Sequence, residues 1–156
     1  MQTPSFFLVT INPDHTFLRR LSKVRSRDAV FLEKVIQVIQ DNIGNKKFKV
    51  ADLARHVHLS QAQLNRNLKR LVKCPAARLI RQLRLQYAAY YLMHDGASVG
   101  EIAHEIGFSD SAHFCRSFKK LYSLTPSQFK TLSRSHQLSL LEPHAQKWQQ
   151  DAQKAQ

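Results

Sequence analysis

The chain carries one stretch of sequence twice. VADLARHVHLSQAQLNRNLKRL (Val50 to Leu71) aligns with VGEIAHEIGFSDSAHFCRSFKKL (Val99 to Leu121) at an offset of 49, which becomes 50 after one inserted residue. The matching pairs include Val50 and Val99, Ala54 and Ala103, Ser60 and Ser109, Arg66 and Arg116, and Lys69 and Lys119. A fold for this chain therefore has to contain one structural unit two times.

The repeated unit has the pattern of two helices joined by a turn. Apolar residues recur at intervals of three and four, which indicates helices rather than strands. Each copy has Ala where a second helix must cross closely, apolar residues before the turn, and Arg and Lys in its second helix. This pattern is typical of a helix-turn-helix. An ordinary αα-hairpin has similar helix lengths, but it does not require basic residues at the same place in both copies.

The same periodicity predicts an all-α chain of about seven helices. An amphipathic helix over 29–42 is expected to stop near Gly44. The first helix-turn-helix then covers about 50–72, a long linker helix about 75–93, and the second helix-turn-helix about 98–122. Capping boxes mark three helix starts, at Ser60 with Gln63, Ser98 with Glu101, and Thr125 with Gln128.

The net charge indicates an anionic partner. The chain has 24 Lys and Arg against 11 Asp and Glu, which gives +13, and residues 29–133 alone carry +9. Seven basic residues and no acidic ones lie between Ser60 and Arg84. Because a solvated face normally mixes both signs, such a surface favours nucleic acid. Binding should weaken steeply with salt, with a log-log slope of roughly −0.9 for each phosphate contacted.

The sequence gives no sign of a membrane segment or of an oxidising compartment. No apolar run approaches the ~20 residues that span a bilayer, and Phe6 to Ile11 is too short and lacks the basic region of a signal peptide. Cys74 and Cys115 have no CxxC spacing, which fits reduced thiols. We therefore expect a cytoplasmic, nucleoid-associated protein without a membrane partner.

An enzyme would need a nucleophile beside a base, and His113 with Cys115 is the one visible candidate. Residues two apart on a helix point about 200° away from each other, so these side chains cannot form a hydrogen bond. His56 and His58 have the same difficulty as metal ligands, and no carboxylate or thiol completes a site. We expect no catalytic residue, no metal site and no cofactor.

The distance between the two units favours duplex DNA. A linker helix of about 18 residues spans ~27 Å at 1.5 Å per residue, and adjacent major grooves on one face of B-DNA lie ~34 Å apart. Two reading helices on one chain could therefore enter two adjacent grooves. The alternative is a nucleoid-architectural, packaging or RNA-binding protein that uses the same charge without reading sequence.

These residues resemble a known family. From about Asp28 to Arg134 the chain is similar to the DNA-binding domain of the AraC/XylS family of bacterial transcription regulators. SVGEIAHEIGFSDSAHFCRSFKKLYSLTPSQFK and IRQLRLQYAAYYL carry the resemblance most specifically, and ADLARHVHLSQAQLNRNLKRL is nearly as close. The resemblance implies two helix-turn-helix units joined by a linker helix, and a sequence-specific activator bound to promoter DNA. RNA polymerase would be a further partner.

The resemblance also implies which side chains face DNA. Family members use the positions of Ala62, Asn65 and Arg66 in the first unit, and of Ser111, Ala112, His113 and Arg116 in the second. Lys69 shares the face of the first set at helical spacing, and Lys119 is its copy. Arg can bind guanine bidentately and Asn can bind adenine, but either could instead bind phosphate. The candidate DNA-binding residues are Ala62, Asn65, Arg66, Lys69, Ser111, Ala112, His113, Arg116 and Lys119.

The chain departs from the family pattern at two turns. Val72-Lys73-Cys74 stands where the family usually has a longer turn containing Gly, so the join to the linker helix could be repacked. Ser123 likewise stands where Gly is usual. Both turns follow the second helix of a unit.

The two ends lie outside the resemblance. We interpret residues 1–28 as an arm or as the junction with a missing sensor or receiver domain, through which the protein could dimerise. FLEKVIQVIQDNI resembles the entry into the output domain of hybrid two-component regulators, which favours a fragment over a small stand-alone regulator. Residues 135–156 form a Gln-rich tail. We interpret it as a disordered end or short helix, with a protein contact through Trp148 as the alternative.

Overall fold

The computed structural model describes residues 27–94 and 96–141, and within them the chain forms helices and turns without a strand. A further helical stretch covers 134–141. The seven helices before it are α1 (Arg27–Asp41), α2 (Val50–His56), α3 (Gln61–Val72), α4 (Ala76–His94), α5 (Val99–Glu105), α6 (Ser111–Tyr122) and α7 (Pro126–Thr131). The predicted all-α fold is confirmed, with two helix-turn-helix units, α2–α3 and α5–α6, on either side of the linker helix α4. No described helix has the length and apolarity that a membrane crossing requires.

All three predicted capping boxes are present. The Ser60 hydroxyl accepts from the Gln63 amide at 3.2 Å, and the Gln63 side chain accepts from the Ser60 amide at 3.0 Å. Equivalent pairs join Ser98 with Glu101 and Thr125 with Gln128. Each box satisfies amides at a helix start that would otherwise lack a partner. The starts of α3, α5 and α7 are therefore fixed by local sequence.

The turns of the two units have the same backbone. In each turn one residue takes a left-handed conformation, His58 with φ 56° in the first unit and Gly107 with φ 81° in the second. The amide that follows donates to an Ala carbonyl at 3.0 Å in both, from Leu59 in the first unit and from Phe108 in the second. The repeat seen in the sequence is thus also a repeat of hydrogen bonds.

The inserted residue of the second copy lies at the start of its second helix. Asp110, not Ser109, caps α6, and its carboxylate accepts from the amides of Ala112 at 2.9 Å and His113 at 3.1 Å. Asp110 is therefore the structural equivalent of Ser60. The pairing of Ser60 with Ser109 in the sequence alignment was wrong by one residue.

Left-handed residues also end both of the second helices. Lys73 follows α3 with φ 54°, and Ser123 follows α6 with φ 63°. These are the two turns at which the sequence lacks the glycine that is usual in the family it resembles. Side chains in this conformation crowd the backbone, which costs roughly 1–2 kcal/mol.

Ser123→Gly is expected to raise the free energy of unfolding by up to about 1 kcal/mol, since relief of the crowding exceeds the entropy that glycine loses on folding. Urea denaturation followed by circular dichroism measures the change. Lys120→Gly, on the exposed side of the last turn of α6, is the control and should instead lose up to about 1 kcal/mol. A lower stability for Ser123→Gly would show that the serine side chain makes a contact that outweighs the backbone effect.

Both units and α7 pack into one continuous core. Leu79, Leu83 and Ala88 of the linker helix are buried at its centre. In the second unit the core is aromatic: the rings of Phe114 and Phe118 lie 5.7 Å apart, and Phe118 and Phe129 lie 5.5 Å apart. Three neighbouring rings with no exposed surface fix α6 against α7.

The first helix is joined to the end of α3 by an ion pair. The Arg70 guanidinium donates to both carboxylate oxygens of Asp28, at 2.9 and 2.7 Å. The hydrogen bonds from Arg70 hold the pKa of Asp28 below its usual value. Because both side chains are about half exposed, the pair contributes at most about 1 kcal/mol.

The helical stretch 134–141 packs against α7. The Gln137 side chain is buried and donates to the Phe129 carbonyl at 2.9 Å, and Leu141 belongs to the core. Packed residues therefore continue beyond the end of the family resemblance at Arg134. The remainder of the predicted tail, with Trp148, lies outside the described residues, as do residues 1–26.

Candidate nucleic-acid interface

The second helix of the first unit, α3, presents a polar face opposite a buried one. Ala62, Arg66 and Lys69 are exposed. Leu64, Leu68 and Leu71 face the core on the other side. The described structure gives neither Arg66 nor Lys69 a hydrogen-bond or ion-pair partner among its residues, so both cations can meet a ligand from solvent. This division matches the sequence expectation for these side chains.

Asn65 has a different position. It is half buried, and its Oδ1 accepts from the Ala76 amide at 2.9 Å. Ala76 is the first residue of α4, where a backbone amide has no partner within the helix. Asn65 therefore holds the start of the linker helix. A bidentate contact with adenine would require the same oxygen as acceptor, so we assign Asn65 a structural role first.

The second unit shows why this role is needed only once. Cys115 stands at the position of Asn65, and Pro126 stands at the position of Ala76, as the first residue of α7. Proline has no amide hydrogen to satisfy. Cys115 is accordingly half buried and packs against the core.

The second helix of the second unit, α6, also divides into two faces. Phe114, Phe118 and Tyr122 are buried, and burial raises the pKa of the Tyr122 hydroxyl. All five candidate residues predicted on this helix are exposed: Ser111, Ala112, His113, Arg116 and Lys119. All five side chains therefore reach solvent.

Two neighbours shape the exposed face of α6. The imidazole of His113 rests on the ring of Phe108, with 5.5 Å between centroids. Arg116 lies 3.9 Å from Asp110, whose oxygens already accept two backbone amides, and its side chain is 71% exposed. Such a long, solvated pair holds Arg116 weakly, so the guanidinium can turn toward a ligand.

A basic groove of about 510 Å³ runs between the linker helix and α6. Its charged lining comes from Arg78 and Arg81 of α4 and from Arg116 and Lys120 of α6. Arg78, Arg81 and Lys120 were not among the predicted site residues. The run of seven basic residues in the sequence was the available signal for Arg78 and Arg81. Only the fold, which places α4 and α6 on two sides of one groove, brings them near Arg116.

The described residues include no group of three His, Cys, Asp or Glu side chains that could hold a metal ion. Cys115 packs against the core while His113 is exposed, so the two do not face each other. The surface thus offers cations and hydrogen-bond donors for an anionic partner.

The sequence matches known helix-turn-helix proteins. A model of the helix-turn-helix domain family matches residues 53–131, just over half of the chain. The chain is 36% identical to the urease operon transcriptional activator of Escherichia coli over 57% of this chain and 30% of that protein. The chain spans less than half the length of the curated relatives it matches.

Solved structures agree with the observed fold. The C-terminal domain of the two-component response regulator yesN from Fusobacterium nucleatum is 28% identical with a TM-score of 0.59, covering 63% of this chain and 95% of that one. The DNA-binding domain of AdpA, solved in complex with a target DNA, shares the fold with a TM-score of 0.61 at 20% identity, over 68% and 94%. With its two units on one linker helix and its match to the family model, the chain belongs to the AraC-type helix-turn-helix family.

Proposed function

We propose that this chain binds double-stranded DNA sequence-specifically, as a transcription regulator, by placing α3 and α6 in two adjacent major grooves. The observation that carries the proposal is the pair of equivalent helices, each with a buried apolar face and an exposed face bearing Arg and Lys. The linker helix of 19 residues spans about 28 Å, close to the separation of adjacent grooves. The bound site would cover roughly 20 base pairs.

Within this proposal the exposed residues divide by role. Arg66 and Arg116 are the side chains long enough to bond guanine in the groove. Ala62 and Ala112 are small, and they fit a thymine methyl group or an uncontacted base. Lys69 and Lys119, one turn further along each helix, are better suited to phosphates. Asn65 is left out of base reading because it caps α4.

The basic groove between α4 and α6 supports additional phosphate contacts. Arg78, Arg81 and Lys120 line it beside Arg116. Such contacts orient a protein on DNA without reading bases. They also favour the second candidate function, a nucleoid-architectural protein that binds any duplex. The two functions differ in whether affinity depends on sequence at one salt concentration.

Selection from random duplex DNA followed by footprinting distinguishes these functions. We expect enrichment of one bipartite sequence and protection of roughly 20 base pairs. Equal affinity for the enriched and for random DNA at the same salt would favour the architectural function instead.

Arg66→Ala and Arg116→Ala are each expected to weaken binding to the selected site by about 1 to 3 kcal/mol and to relax base preference at one position. Fluorescence anisotropy on the selected site and on its single-base variants measures both effects. Arg55→Ala is the matched control, since it removes the same charge from α2, where the side chain is 78% exposed and paired with Asp52. It should change affinity by less than about twofold. A uniform loss on all sequences would reassign Arg66 and Arg116 to phosphates.

The wider role of the protein is also part of the proposal. We infer that the chain acts as an activator at promoters, in contact with RNA polymerase, and that it is not an enzyme. Its relatives are named as transcription activators, and the yesN domain comes from a two-component response regulator. These names support an output domain of a two-component system in the cytoplasm, with dimerisation through a separate domain.

A further inference from the structure

One side chain in the middle of the linker helix connects the loop that leads into the first helix-turn-helix unit with the turn of the second unit. Arg84 donates from Nη2 to the Asn45 carbonyl at 2.8 Å and from Nη1 to the Gly107 carbonyl at 3.1 Å. Asn45 lies in the loop that precedes α2, and Gly107 lies in the turn of the second unit. The guanidinium thus binds one backbone carbonyl in the loop that leads into the first unit and one in the turn of the second unit, in the fixed fork geometry of arginine.

The backbones beside Arg84 touch each other directly. A Cβ added to Gly44 would lie 2.7 Å from the Glu105 carbonyl oxygen, and one added to Gly107 would lie 2.7 Å from the Ile43 carbonyl oxygen. The loop 43–45 and the turn 105–107 therefore pack with no room for a side chain between them. Packed contacts of this kind do not slide continuously.

The hydrogen bonds of Arg84 and the contact between the loop 43–45 and the turn 105–107 together form a joint. This joint restrains a motion that the linker helix alone does not restrain. A helix fixes the distance between the two units along its axis, but rotation about that axis has to be restrained by contacts away from it. Arg84 and the touching loops provide such contacts. Half burial also lowers the pKa of Arg84, although an arginine remains charged in either case.

We propose that Arg84 is a positioning residue that sets the angle between the two reading helices, and thereby the spacing of the two half-sites that the chain accepts. One base pair of B-DNA corresponds to a turn of about 34° and a rise of about 3.4 Å. If the joint lets the two units rotate relative to each other by less than this angle of about 34°, the chain can fit only one spacing of the two half-sites. This inference rests on the proposed function and adds to it the source of spacing specificity.

The test uses the full chain and the bipartite sequence selected by the wild type, with the half-sites moved apart or together by one and two base pairs. We expect the wild type to prefer one spacing by about tenfold or more, equivalent to about 1.4 kcal/mol. Arg84→Gln should reduce that preference to less than about threefold and leave the base preference within each half-site unchanged. Arg84→Lys, which keeps the charge but not the fork, should be intermediate.

Arg81→Gln is the matched control. Arg81 is exposed, lies three residues before Arg84 on the same helix, and makes no hydrogen bond or ion pair among the described residues. Its loss should weaken binding equally at every spacing. Thermal unfolding is measured for each variant to show that it is folded. If Arg84→Gln does not fold, Arg84→Lys is compared with the wild type instead.

The inference is overturned if the folded Arg84 variants keep the spacing preference of the wild type, or if Arg81→Gln flattens it equally. A wild type that enriches no sequence contradicts the proposed function, and the inference falls with it. A wild type that enriches a sequence but tolerates every spacing contradicts the inference alone.

Discussion

Phe118→Ala is expected to lower the free energy of unfolding by about 3 to 5 kcal/mol. Phe118 has no exposed surface, and its ring contacts those of Phe114, Tyr122 and Phe129. Truncation leaves a cavity among side chains that belong to two different helices, α6 and α7. Neither helix can move to fill the cavity without losing contacts that it makes elsewhere in the core. Chemical denaturation followed by circular dichroism gives the change directly.

Val30→Ala serves as the control for that measurement. Val30 is also apolar and helical, but it is 60% exposed, so its truncation should change stability by no more than about 0.5 kcal/mol. If Phe118→Ala also stayed within that range, the aromatic cluster would not be what holds the second unit together.

Gly107→Ala is expected to cost about 2 to 5 kcal/mol, from roughly 1–2 for a side chain in the left-handed conformation and roughly 1–3 for overpacking. Gly107 has φ 81°, and the added Cβ would meet the Ile43 carbonyl oxygen at 2.7 Å and the Arg84 guanidinium carbon at 3.0 Å. The first neighbour is backbone and cannot move alone. We expect the variant to unfold at a lower temperature and to bind the selected DNA less tightly.

Gly100→Ala is the control for the glycine substitution. Gly100 lies within α5, and nothing lies within 4 Å of an added Cβ. Alanine is the better helix former, so this change should stabilise the protein by about 0.5 to 1 kcal/mol. Opposite signs for two Gly to Ala changes in one helix-turn-helix unit would show that the left-handed backbone and close approach at Gly107, rather than the loss of a glycine as such, are the cause. Equal effects would contradict it.

The first unit supports this explanation. His58 occupies the place of Gly107 and takes the same left-handed conformation, with φ 56°. Its side chain is exposed, whereas Gly107 is buried. The left-handed backbone therefore tolerates a side chain when the space beside it is open.

Local patterns predicted most of the fold. Capping boxes need only residues three apart, and the apolar spacing within one helix defines its buried face, so the helix starts and the two faces of α3 and α6 followed from sequence. Contacts between different helices and loops could not be predicted from these local patterns. The bond from Asn65 to Ala76 spans 11 residues and the one from Arg84 to Asn45 spans 39.

The candidate site shows the same limit. Exposure of eight of the nine candidate residues follows from their positions on two amphipathic helices. Asn65 shares that helical spacing, but its half-buried side chain contacts the next helix, which the spacing within α3 does not reveal. The basic groove likewise forms only when the fold places α4 and α6 on its two sides, so Arg78, Arg81 and Lys120 could be recognised as basic but not as neighbours of Arg116.

The different start of the helix that follows each unit limits how far the two repeats are interchangeable. In the first repeat an amide at Ala76 is matched by the oxygen of Asn65, and in the second Pro126 removes the amide, so Cys115 has nothing to accept. Asn65 is needed with Ala76, and Cys115 is sufficient with Pro126. A symmetrised protein built by copying one repeat over the other would have to carry both positions of a pair together. Replacing Asn65 alone with cysteine, the residue at the equivalent position 115, would leave the Ala76 amide without its acceptor. The sequences of the two repeats would nevertheless be more alike.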